Sequence, residues 1–267
     1  MSIITISRGT LSGGKMLAEC LSQRLGYRCI DREALVERAV TRRVSQQDLL
    51  NAMKDPPAAA GRFDHGRYVR LALIQAALME EVHGGKAIYH GLAGHLLISA
   101  VPGLLRLRII APFDHRVRRA RERLKLSPDA AIAYIRKMDE DRRKWAQFLY
   151  GVDWQDSSLY DFVINLERVR VEEACSAVAA MVARYGHELT PESQAIMDDL
   201  ALASRVRADL AVNPFTSNLE VEVEAHGGSV CVRGSLFEQA GEVERVVRSL
   251  QGVVSVRCEE PVEAAMA

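Results

Sequence analysis

Hydrophobic residues in positions 1–186 come in two alternating rhythms: short unbroken runs, and longer stretches with apolar residues three and four apart. The runs read as buried strands over residues 3–6, 27–30, 87–90, 104–111 and 162–166. The spaced stretches read as amphipathic helices. The first of these puts Leu17, Cys20, Leu21 and Leu25 on one face and stops at Gly26. Others cover residues 32–43, 45–54 (opened by the capping pair Ser45 and Asp48), 68–83 and 170–185. Two more are opened by Asp114 and by Ser127-Pro128, the latter running to about Phe148. Residues 55–61, with Pro56-Pro57, read as a loop. Strands alternating with helices predict an α/β unit with a five-stranded parallel sheet flanked by helices.

The rhythm then changes. Residues 191–212 are helical in pattern, and residues 219–225 alternate, with Leu219, Val221 and Val223 inward and glutamates outward. His226-Gly227-Gly228 turns this strand into its partner over 229–233. A helix over 237–250 follows, striped by Val243, Val246, Val247 and Leu250, and a last strand over 253–258. The order is αββαβ, a small α+β unit. The expected division is 1–187 and 195–262.

Chemistry concentrates behind the first strand. Gly9-Thr10-Leu11-Ser12-Gly13-Gly14-Lys15 fits G-x-x-x-x-G-K, between a strand and a helix. Glycines let consecutive amides turn inward around an anion, and the helix N-terminus adds positive potential. Lys15 adds a full charge that reaches outer phosphates. The motif wants Ser or Thr next, to hold magnesium; Met16 stands there. Ser12, Thr10 or a distant carboxylate then orients the metal, or nucleotide and water hold it.

Charge sharpens the division. Residues 106–144 hold 13 Lys/Arg against 6 Asp/Glu, and residues 188–263 hold 6 against 14. Arg116, Arg118, Arg119, Arg121 and Arg123 on one helix, with Arg136, Lys137, Arg142, Arg143 and Lys144 on the next, suit a lid over a triphosphate. Ordinary solvated faces are the competing reading. Asp31 and Arg32 end the second strand, where open parallel sheets bind ligands; Asp31 also suits a helix N-cap. His90 and His95 are possible ligands or acid–base groups, though a lone strand-end histidine is more often structural. No apolar run is long enough to span a membrane, and the chain opens straight into a strand without a signal peptide. Five scattered cysteines form no C-x-x-C pair and read as buried free thiols, which points to the cytoplasm.

Several of these segments together carry a resemblance: ITISRGTLSGGK, GYRCIDRE, AIYHGLAGHLL, LRLRIIAPFDHRVRR, KMDEDRRKW and LYDFVINL. Residues 1–186 resemble the cytidylate kinase-like family of P-loop nucleoside monophosphate kinases. The resemblance implies transfer of the ATP γ-phosphoryl group to a nucleoside monophosphate, CMP or dCMP, with magnesium. It implies that Gly9 to Lys15 cradle ATP, that Asp31 and Arg32 face the acceptor, and that Asp139, Arg142 and Arg143 belong to the lid. Members tend to carry Gly-Arg after the third strand; here Gly91-Leu92 stands there, so Arg62 or Arg67 is expected to supply the acceptor's cation.

The C-terminal unit, with G-x-V-x-V-x-G at 228–234 and L-x-G-V-x-x-V at 250–256, resembles a BON domain. That implies partner binding without chemistry. Its acidity argues against anionic membranes and nucleic acid, and favours a protein partner or docking on the chain's own basic lid. Two other functions compete: a nucleotide-binding regulator with little turnover, signalling through this unit, and a phosphotransferase for another small acceptor that Leu92 admits.

Overall fold

The computed structural model describes residues 3–40, 65–91, 94–185 and 190–260. The helix expected at 45–54, the loop at 55–61, Arg62, Leu92 and the side chain of Arg67 lie outside the described residues.

Five strands form one parallel sheet in the order β2-β3-β1-β4-β5: β1 Ile3–Arg8, β2 Arg28–Asp31, β3 Ala87–His90, β4 Leu104–Ile110 and β5 Phe162–Asn165. The central strand β1 is buried on both faces, as its unbroken apolar run requires. One face takes Ile4 and Ile6 and is covered by α1 Gly14–Leu25 and α7 Val171–Tyr185. The other takes Ile3 and is covered by α2 Arg32–Val40, α3 His65–Val82 and the short α4 Gly94–Leu97. Tyr89 lies flat over Gly91 and Gly94, where any side chain would collide with its ring. Every strand therefore points its carboxyl end at the same rim.

Two helices stand apart from this sandwich: α5 Phe113–Leu124 and α6 Pro128–Tyr150. They share their own small core, in which Ala120, Ala131 and Ile135 meet Phe113, Val117 and, from the glycine loop, Leu11. Ser127 caps α6 as expected, accepting from the Ala130 amide at 3.3 Å. Asp114 does not cap α5. The extended Pro112 occupies the cap position, and Asp114 sits inside the first turn, where its charge still favours the helix dipole.

The C-terminal segment follows the expected order: α8 Pro191–Val212, the antiparallel pair β6 Glu222–His226 and β7 Ser229–Arg233, α9 Ala240–Arg248, and β8 Ser255–Glu259 parallel to β7. Its docking differs from expectation. It lies on α3 rather than on the arginine-rich helices. Leu202, Val206 and Leu210 of α8 enter the small core, while Met197 and Ala208 enter the large one. Tyr68 of α3 fixes the junction, its hydroxyl donating to the Val221 carbonyl at 3.0 Å.

The cysteines also correct the sequence reading. Cys20 of α1 and Cys175 of α7 form a disulfide, bridging two helices that pack side by side and 155 residues of chain. Sequence spacing alone could not have paired them. The case for a reducing compartment loses the support that five free thiols gave it. Among the described residues no helix is long and apolar enough to cross a membrane. Thiol titration of denatured, unreduced protein should find Cys29, Cys231 and Cys258 only, and reduction should lower the unfolding free energy by about 2–4 kcal/mol. Five reactive thiols before reduction would refute the pairing.

Candidate active site

The turn between β1 and α1 is compact. The Gly9 amide donates to Ile109 at 3.2 Å and the Ser12 amide to Gly9 at 3.1 Å. Among the described residues, no protein acceptor takes the amides of Thr10, Leu11, Gly13, Gly14 or Lys15. Gly13 has φ 101°, open to glycine at little cost, and a side chain there would press on Leu166 and the Arg119 guanidinium. Lys15 is half exposed and rests 3.8 Å from Glu19, a pair too solvated to hold it. The turn is thus a ring of donors without acceptors at a helix N-terminus, which is the physical definition of an anion site.

Three residues of the loop have other work. The buried Ser12 hydroxyl donates to the Ile109 carbonyl at 3.0 Å. Leu11, at φ 60°, plugs into the core of α5 and α6. Thr10 accepts a hydrogen bond from Arg142 through its hydroxyl. Ser12 and Thr10 are therefore both engaged, Met16 offers only a thioether to Arg123 at 3.5 Å, and the described residues hold no cluster of metal-ligating side chains. These residues fit a triphosphate well and a protein-held magnesium poorly.

Over the loop stands a lattice of arginines. Asp139 accepts from Arg116 through both oxygens, at 3.0 and 2.7 Å, and pairs with Arg142 at 3.7 Å. Asp139 thereby aims two cations at the turn: Arg116 lies against Gly9 and Arg142 against Thr10. Burial pushes Arg142 down to about 10, partly offset by Asp139. Arg119 lies against Gly13 and makes no ion pair among the described residues. Arg143 does not join them. One residue beyond Arg142 rotates it about 100° around α6, and it pairs with Glu140 at 2.7 Å on the exposed face.

At the rim beyond β2, Asp31 plays the capping part: its carboxylate accepts from the Ala34 amide at 2.8 Å. Arg32 contacts Glu33 at 2.9 Å and keeps a buried Nε without a partner. Arg8, the last residue of β1, was not singled out by sequence. It runs along Gly14, whose added Cβ would lie 2.8 Å from it, and its charge is felt by His90 and Arg142. Burial lowers its pKa.

Arg8 and Arg142 open on a narrow recess shared with Ser7, Gly91, His95 and Trp154. Its back wall is dense. Tyr160 donates its hydroxyl to the Trp154 carbonyl at 2.7 Å and stacks near His95 at 4.7 Å, and Arg108 lies 4.6 Å over the Trp154 ring. Both ring nitrogens of His95 and the Trp154 indole nitrogen are buried without partners. Trp154 carries no motif and Tyr160 lies in the LYDFVINL segment, but only the folded chain brings them to the rim.

Residues 3–168 match the Cytidylate kinase-like family, and the chain belongs to that family. It is 29% identical to a cytidylate kinase of Methanothrix thermoacetophila, over 67% of this chain and 99% of that one. It is 25% identical to a cytidylate kinase of Sulfolobus acidocaldarius, over 68% and 94%. An uncharacterized protein from Eubacterium ventriosum shares the fold, with a TM-score of 0.54 at 20% identity over 68% and 99%.

The recess generates a pH prediction. His95 is 3% exposed, and burial, with Arg106 and Arg108 adding the same sign, pushes it from 6.5 down to about 4. Between those values the unfolded chain holds a proton that the folded chain lacks. Stability should therefore fall as pH drops from 6.5 towards 4, by up to about 3 kcal/mol from this group. Urea melts across that range should show a shallower pH slope in His95→Asn; parallel slopes would remove His95 from the account.

Proposed function

We propose that this member of the Cytidylate kinase-like family transfers the γ-phosphoryl group of ATP to a nucleoside monophosphate, with CMP or dCMP as acceptor. The observation that carries the reading is the turn of unpartnered amides at the start of α1, roofed by Arg116, Arg119 and Arg142. The amides and Lys15 bind the donor phosphates. An acceptor phosphate oxygen attacks the γ-phosphorus, the bond to the β–γ bridging oxygen breaks, and ADP leaves. The protein's part is positioning and neutralisation of charge on the equatorial oxygens. Magnesium supplies charge neutralisation when bound and arrives with the nucleotide and its waters.

A regulator that only binds nucleotide needs the loop alone. A carboxylate that aims two arginines at the place of transfer favours turnover. In this reading residues 1–187 form the kinase unit and 195–262 a BON-like unit, α8 serving both, with a protein as the partner of the second.

A coupled assay with MgATP and a panel of monophosphates should give turnover fastest with CMP or dCMP. Lys15→Ala should lower kcat/KM by roughly 100-fold or more while leaving the melting temperature in place. ATP binding without turnover on any monophosphate would favour the regulator, and turnover only on a different small acceptor would reassign the substrate.

A further inference from the structure

The proposed function needs a place for the acceptor's phosphate, and the recess beside the loop is lined by two arginines of opposite character. Arg142 is held by Thr10 and Asp139 and rides on α6, whose only described core is the small one shared with α5 and Leu11. Arg8 ends the central strand, which is paired on both sides. Among the described residues its guanidinium has no hydrogen bond and no ion pair, although the side chain is more than half buried. Leaving a cation half buried with no anion in contact is costly, and a folded protein tolerates it where a ligand completes the pair.

The surroundings point the same way. The recess is also lined by Trp154, whose indole nitrogen is buried without a partner, and by His95, buried with both ring nitrogens unpartnered. Two arginines around one opening match the several oxygens of a phosphate monoester dianion, since Arg offers paired donors to such a group. No carboxylate lines the recess. The free space is about 20 Å³, room for a water and not for phosphate. Entry therefore requires movement of one wall, and α6 packs in the small two-helix core and not on the sheet.

We infer that Arg8 is the fixed cation that binds the phosphate monoester of the acceptor, with Arg142 closing on it from the opposite side. The assignment rests on the kinase reading above. It gives the two arginines separate tasks: Arg8 selects a phosphorylated acceptor before closure, and Arg142 bridges acceptor and donor after it. It also supplies the acceptor's cation from within the described rim, without Arg62 or Arg67.

The test uses the full chain, Arg8→Gln and Arg8→Lys, with MgATP and CMP, and with cytidine as a competitor lacking phosphate. Arg8→Gln should raise the CMP KM roughly 10- to 100-fold, leave ATP affinity within about threefold, and abolish the preference for CMP over cytidine. Arg8→Lys keeps the stem along Gly14 and the charge, and should fall between. A folded Arg8→Gln with an unchanged CMP KM overturns the inference and leaves the kinase reading standing. So does a selective loss of ATP affinity, which would place Arg8 on the donor. If Arg8→Gln does not fold, Arg8→Lys decides, and an unchanged CMP KM there overturns the inference. Absence of turnover by the unaltered chain on every monophosphate removes the kinase reading and this inference with it.

Discussion

Positive charge held close without enough negative charge to answer it is the constraint on which the rim is built. Asp139 is one carboxylate serving Arg116 and Arg142; among the described residues Arg119 and Arg8 form no ion pair. The adjacent turn adds amides that no oxygen among the described residues accepts. In a protein this arrangement is unfavourable by several kcal/mol unless something anionic enters, since desolvated cations repel and open donors are costly. Burial alone drives Arg142 well below the ordinary arginine range. Much of the fold holds these groups in place: a fully buried β1 aims the turn, and a separate two-helix core carries the roof.

The local parts of this arrangement were legible in the sequence. A strand, a glycine loop and a helix are contiguous, so G-x-x-x-x-G-K between two hydrophobic rhythms could be read directly. Asp139 and Arg142 share a helical face through their spacing. Arg143 was grouped with them on the family resemblance, and helical rotation separates it. The sheet followed from alternation, and the αββαβ order of the tail from its periodicities.

What the sequence hid depends on distance along the chain. The Asp139–Arg116 pair spans 23 residues, and the Tyr160 hydroxyl meets Ser7 from 153 away. Cys20 and Cys175 carry no mark of partnership. Arg8 looked like the last letter of a strand; its significance comes from Gly14, the β3 end and α6 converging around it. Asp31 illustrates the reverse case, in which the plain reading as a helix cap accounts for the contact observed.

Helix α8 deserves a different description from the one its sequence suggests. Its apolar residues are distributed around the cylinder, so Leu202, Val206 and Leu210 face one core and Met197 and Ala208 the other. A surface helix with two apolar flanks cannot be assigned to either neighbour. The tail is therefore not a detachable module. Excising it would leave the α3 flank, including the hydroxyl of Tyr68, facing water with nothing to replace it. The chain reads as two units in sequence, yet α8 packs into the cores of both. The small sheet is thereby joined, through α8 and α3, to the core behind the parallel sheet.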